Sequence, residues 1–87
     1  MIVADQVLEA LRELHPGVRK DVRRALADLD KGERRDTKAL EGKLGDFYRL
    51  RVGKYRVIYR FDLLSGEIVA EFLSTRDVVY EAFRPPE

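Results

Sequence analysis

The chain changes its hydrophobic period once, near Phe47. Ahead of that point Val7, Leu8, Leu11 and Leu14 recur at three- and four-residue spacings, which predicts a short amphipathic helix with one apolar stripe. Asp5 stands where an N-cap belongs. His15-Pro16-Gly17 interrupts the stripe, and Pro16 suits the first turn of a second helix, where a missing N–H costs nothing. That helix turns Val18, Val22, Ala25, Leu26 and Leu29 inward and stops near Gly32, a good terminating residue. So short a connection predicts an antiparallel helical hairpin. Met1-Ile2-Val3-Ala4 is a candidate for a very short edge strand.

From Gly32 to Asp46 the chain is polar and punctuated by glycine, with Leu40 and Leu44 as the core anchors. Beyond it the period falls to two. Phe47–Val52 and Tyr55–Asp62 are rich in aromatic and β-branched residues and are separated only by Gly53-Lys54, the mark of a hairpin. Glycine at the first central position fits a type II′ turn. Leu63–Gly66 reads as a second turn and Glu67–Ser74 as a third strand. Asp77–Phe83 reads as one or two helical turns, and Pro85-Pro86-Glu87 as an irregular end. The expected fold class is α+β: the N-terminal helical hairpin packs on one face of a twisted antiparallel sheet of three to four strands.

A two-residue turn fixes the hairpin register. Val52 then faces Tyr55, Arg51 faces Arg56, Leu50 faces Val57, Arg49 faces Ile58 and Tyr48 faces Tyr59. One face carries Tyr48, Leu50, Val52, Tyr55, Val57 and Tyr59 toward the helices. The other carries Arg49, Arg51, Arg56, Ile58 and Arg60, and a slip of one residue would mix the two sets. Like charges directly opposite each other cost a few tenths to about 1 kcal/mol, so Arg51 beside Arg56 is a poor choice for stability alone. Two readings stand: a solvated face partly neutralised by Glu67 and Glu71, or a platform of guanidiniums for a phosphate backbone. Four arginines against one lysine (Lys54) in this segment favour the second, because planar guanidiniums bind phosphate bidentately.

Charge arithmetic sharpens this picture. Net charge is only +1, but residues 47–60 hold five basic side chains and no acid, whereas residues 1–46 balance at ten of each. A local excess of this kind indicates an anionic ligand. The 87 residues suffice for a single domain spanning 1–87. With 45% hydrophobic and 38% charged residues, the composition excludes global disorder. Absence of cysteine excludes disulfide scaffolds, zinc-thiolate sites and thiol catalysis. No apolar run approaches the ~18 residues of a membrane helix, so the expectation is a cytoplasmic protein with no membrane partner. His15, the one histidine, sits at the tip of the helical hairpin and is assigned a surface or capping role. Arg19, Lys20, Arg23 and Arg24 alternate with Asp21 and Asp28 and read as a solvated face.

The run Lys38-Ala39-Leu40-Glu41-Gly42, followed by Phe47-Tyr48-Arg49-Leu50-Arg51-Val52-Gly53-Lys54-Tyr55-Arg56-Val57-Ile58-Tyr59, resembles the signature of the RelE/ParE toxin superfamily. Thr75-Arg76-Asp77-Val78-Val79-Tyr80 is similar to its closing motif, an arginine followed four residues later by a tyrosine. The resemblance implies the toxin of a bacterial type II toxin–antitoxin pair, with a cognate antitoxin protein as partner. RelE-like members cleave messenger RNA in the A site of the small (30S) ribosomal subunit and need neither metal nor cofactor. ParE-like members lack that chemistry and poison DNA gyrase.

On the RelE-like reading, the resemblance implies catalytic roles for Arg51, Arg56, Arg76 and Tyr80, with Arg49, Lys54 and Arg60 contacting RNA. Arg56 stabilises the phosphate, Arg76 aids it or serves as the acid, and Tyr80 orients or stacks the substrate. The best-known ribosome-dependent relatives carry lysines where Arg49 and Arg51 stand, and many relatives carry a histidine where Thr75 stands. Arginine is a very poor proton acceptor, which leaves the role of base among Tyr80, Lys54 and a ribosomal group.

Overall fold

The computed structural model describes residues 1–85. Pro86 and Glu87 of the expected irregular end lie outside them. β1 (Ile2–Val3) leads into α1 (Asp5–Glu13) and α2 (Pro16–Asp30). Next come β2 (Thr37–Ala39), a 3₁₀ turn (Gly42–Leu44), β3 (Tyr48–Val52), β4 (Tyr55–Phe61), β5 (Ile68–Thr75) and the short α3 (Val79–Ala82). The strands form one sheet in the order β1-β5-β4-β3-β2. It therefore has five strands rather than three to four. It is also mixed, because β1 runs parallel to β5 while every other pair is antiparallel.

The helical hairpin forms where the spacing places it, with two corrections at α1. Ala4, not Asp5, is its N-cap, and no side chain caps the end. Leu8, assigned to the stripe, is 45% exposed. α2 begins at Pro16, where His15 Nδ1 accepts a hydrogen bond from the Gly17 N–H at 3.1 Å, so His15 is a cap. Gly32, with φ 106°, ends α2 in a Schellman pattern: its N–H donates to Leu29 and that of Glu33 to Asp28. Val7, Leu11, Val22, Leu26 and Leu29 pack on Leu50, Val57, Tyr59, Ala70 and Leu73. Tyr59 is fully buried there, and that burial pushes its phenol above the ordinary tyrosine value.

The β3–β4 hairpin has the register that a two-residue turn dictates, from Val52↔Tyr55 to Tyr48↔Tyr59. Gly53 has φ 57° and Lys54 is not left-handed, the combination of a type II′ turn. Between β4 and β5 the register shifts, with Ile58 opposite Phe72 but Tyr59 opposite Ala70. Glu71 is the extra residue of this bulge. Without it Ala70 and Leu73 would point to opposite faces; with it both reach the helices.

The second face is only partly open. Ile58 was expected to stand among the arginines; it is fully buried instead, in a smaller cluster with Phe47, Val79 and Phe83. Leu40, Leu44 and Phe72 pack around them. The C-terminal segment thus crosses the arginine face and covers its apolar part. What stays open is the basic remainder.

Candidate functional site

Four elements bring charge to that remainder. Lys38 on β2 lies opposite Arg49 on β3, and Arg56 on β4 lies opposite Arg51 on one side and Ser74 on the other. Arg76 follows β5, and Tyr80 rides on α3 one helical turn later. Lys38, Arg49, Arg56, Arg76 and Tyr80 line a single open pocket of about 720 Å³. Its other walls are Ala39, Leu40 and Leu44, with Glu41 and Asp77 as the acids. Four cations against two carboxylates make a site suited to an anion. The apolar wall and the exposed Tyr80 ring supply a surface on which a planar base can lie.

Backbone carbonyls of the hairpin turn hold the Arg56 guanidinium and the backbone of Arg76. Arg56 Nη1 donates to the carbonyls of Gly53 at 2.9 Å and Tyr55 at 2.8 Å. The Arg76 backbone N–H donates to the carbonyl of Lys54 at 2.8 Å, so the start of the C-terminal segment is tied to the same turn. Three consecutive carbonyls are thereby occupied by the two arginines. Arg76 itself remains 65% exposed, and among the described residues its side chain has only the 3.8 Å contact of its Nε to Asp77. Tyr80 is 42% exposed, and its helix is docked by Val79 beneath the pocket. Arg49 Nη1 donates to the Asp36 carbonyl at 3.0 Å.

The other three sequence-derived candidates do not line this pocket. Arg51 ion-pairs with Asp36 at 2.6 Å and lines a small cleft beside α2 with Ala25, Asp28 and Leu29. Lys54 places its Nζ 5.6 Å from the centre of the Tyr55 ring. Arg60 is held by Glu71 at 3.1 Å and stands 3.9 Å from Asp62. Glu71 thus neutralises part of the arginine row, as the sequence allowed. Glu67 does not, since its carboxylate lies 3.9 Å from the terminal amine of Met1.

One pocket cation, Lys38, was not singled out from the sequence as a site residue, nor were the two pocket acids Glu41 and Asp77. Lys38 enters because Thr37–Ala39 is a strand, and the polar, glycine-punctuated stretch around it reads as a loop. No alternation of apolar residues marks this strand in the sequence; Leu40, just past its end, packs against the smaller cluster and lines the pocket. Among the described residues Lys38 has no ion pair or side-chain hydrogen bond. No three His, Asp or Glu side chains among the described residues group as a metal site. Nor is any described helix long and apolar enough to cross a membrane.

The chain is similar to known toxins in sequence and in fold. The family model for the ParE toxin of type II toxin–antitoxin systems matches residues 2–79. Among solved structures, the chain resembles one in the archaeal RelE–RelB complex of Pyrococcus horikoshii, at 32% identity and TM-score 0.68, over 85% of this chain and 90% of that one. A chain of the toxin–antitoxin complex RelBE2 of Mycobacterium tuberculosis matches at 27% identity and TM-score 0.72, over 85% and 93%. One from the RelB–RelE complex of Methanococcus jannaschii shares the fold at TM-score 0.76 and 19% identity, over 97% and 100%. No curated protein matches the chain.

Proposed function

The chain belongs to the RelE/ParE superfamily of type II toxin–antitoxin toxins, and on that footing we propose that it is a RelE-type endoribonuclease acting on messenger RNA in the ribosomal A site. The observation that carries the reading is the pocket itself. Lys38, Arg49, Arg56 and Arg76 converge beside Tyr80, an arrangement matched to a phosphodiester flanked by a base.

The reaction is a transesterification. The ribose 2′-oxygen attacks the adjacent phosphorus, the P–O2′ bond forms, and the P–O5′ bond breaks. The 2′-hydroxyl loses its proton and the departing 5′-oxygen gains one, leaving a 2′,3′-cyclic phosphate and a 5′-hydroxyl. Arg56 and Arg76 are assigned to the non-bridging oxygens, whose charge grows in the pentacoordinate state. Arg49 and Lys38 extend the anionic track, and Tyr80 stacks the neighbouring base. Guanidiniums hold their protons too firmly to exchange them, so proton transfer falls to Lys38, Glu41 or Tyr80, or to a ribosomal group. Lys54 and Arg60, which do not line the pocket, are assigned as outer RNA contacts. The cognate antitoxin is the natural protein partner, as in the complexes that hold the similar chains.

A second reading, a non-catalytic toxin that binds a protein target such as DNA gyrase, is favoured by the two arginines, Arg49 and Arg51, on the first hairpin strand. Neither is an effective base. Primer extension on a reporter message in a reconstituted translation reaction separates the two. The proposal expects cuts that need ribosomes and fall in codon register. Intact message together with blocked DNA supercoiling would establish the second reading instead.

A further inference from the structure

Asp36 is the one non-glycine with a left-handed backbone among the described residues, at φ 61°. A residue with a Cβ stays in that region only when its surroundings hold it there. Here three hydrogen bonds do so. The Asp36 carbonyl accepts from the Arg51 backbone N–H at 2.9 Å and from Arg49 Nη1 at 3.0 Å. Its carboxylate Oδ1 accepts a short, charge-assisted bond from Arg51 Nη2 at 2.6 Å.

This turn has consequences on both sides. Thr37, the next residue, opens β2, and its pairing with Leu50 sets Lys38 opposite Arg49. The carbonyl of the turn meanwhile anchors the Arg49 guanidinium at the pocket wall. Two of the four pocket cations therefore owe their places to Asp36, one through register and one through a direct bond. Arg51 sits on the far side of that turn, in the cleft beside α2. To touch a phosphate in the pocket it would have to abandon its 2.6 Å partner.

We infer that Arg51 and Asp36 are a positioning pair: Arg51 pins the left-handed Asp36 turn, and the turn sets Lys38 and Arg49 for the substrate. Arg51 acts on catalysis through Asp36 and not by contact with RNA. The functional half of this inference rests on the cleavage reading of the pocket; the structural half does not.

Glycine supplies the decisive variant, since it adopts φ near +60° without a Cβ penalty. If Arg51 serves only to hold the turn, Asp36→Gly makes it dispensable. Four proteins are compared: wild type, Asp36→Ala, Arg51→Ala and the double variant Asp36→Gly with Arg51→Ala. Two quantities are read: amide hydrogen exchange at residue 51 and Leu40, whose N–H groups bond Asp36 and Phe47, and codon-register cleavage of translated message. Asp36→Ala and Arg51→Ala should each accelerate exchange at both amides and slow cleavage by at least tenfold. The glycine double variant should return both readings to within about threefold of wild type.

Failure of the double variant to recover cleavage while exchange recovers would overturn the inference, because the guanidinium itself is then needed at the substrate. Unchanged exchange in Arg51→Ala would overturn it as well. Exchange does not depend on catalysis. A wild-type protein that cuts nothing would therefore sink the cleavage reading, and the exchange data would still decide the structural half.

Discussion

Replacing Phe83 by alanine tests whether the C-terminal turn that carries Tyr80 is separable from the rest of the fold. Phe83 is 4% exposed, meets the Phe47 ring edge-on at 5.1 Å, and lies 5.7 Å from the Phe72 ring. Phenylalanine-to-alanine changes in a cooperative core cost about 3–5 kcal/mol. The turn is attached by little else. Val79 is its other buried anchor, and full burial of such a side chain contributes about 1.5–3 kcal/mol.

Once Phe83 is gone, Val79 alone does not hold the segment, which detaches while the sheet and helical hairpin persist. The loss of global stability is then capped by the docking energy of the segment. For a domain of this size, 1 kcal/mol moves Tm by about 4–8 °C, so loss of a true core residue predicts a drop of more than ~12 °C. Separable docking predicts a drop below ~6 °C on the same scale. Native-state amide exchange locates the change. The N–H groups of Ala82 and residue 83, which bond Val78 at 2.8 Å and Val79 at 3.0 Å, should lose protection while Val57 and Leu73 keep theirs. Cleavage should fall with them, since Tyr80 loses its place. A Tm drop beyond ~12 °C, with protection lost everywhere together, would show instead that the segment belongs to one cooperative core.

Arg56→Ala should lower cleavage by about 10²–10³-fold, the usual loss on deleting one donor to a developing oxyanion, with the far-ultraviolet circular dichroism unchanged. Lys38→Ala should weaken RNA binding evenly across sequences and reduce the slope of log affinity against log salt by about 1, and Lys38→Arg should restore the slope. Gly53→Ala should destabilise the hairpin by about 1–2 kcal/mol, because φ 57° is forced on a residue with a Cβ; a thermal melt measures it. Asp62 gives a pH prediction. The Ser65 backbone N–H and hydroxyl, each at 2.9 Å, hold its carboxyl below the ordinary aspartate value, with Arg60 adding to the effect. A depressed folded-state value means stability present above about pH 4 and lost as pH falls through the folded value. Ser65→Ala should therefore flatten the acid-unfolding curve below about pH 4.

The hairpin was legible because two constraints coincide there. A two-residue turn set by Gly53 and strict alternation from Tyr48 to Arg60 allow a single register, and the arginine face follows from it. The helical hairpin was legible for similar reasons, from its stripes and from Pro16 and Gly32. What escaped was structure made by long-range contacts. β2 has three residues and no apolar alternation of its own, and it exists because β3 offers an open edge. Lys38 went unassigned with it. The burial of Ile58 depends on Phe83 folding back from twenty-five residues away, which local periodicity does not encode. Arg49 and Arg51 look equivalent on one strand, yet Asp36 separates them, and nothing in a composition or a spacing marks Asp36 as left-handed.

The most direct test of the central claim is primer extension on a translated reporter message with three proteins: wild type, Arg56→Ala in the pocket and Arg24→Ala on the exposed face of α2. Wild type and Arg24→Ala should give ribosome-dependent cuts in codon register, and Arg56→Ala should lose them. Equal cutting by all three, or loss with Arg24→Ala alone, would contradict that claim and move the active surface away from the arginine pocket.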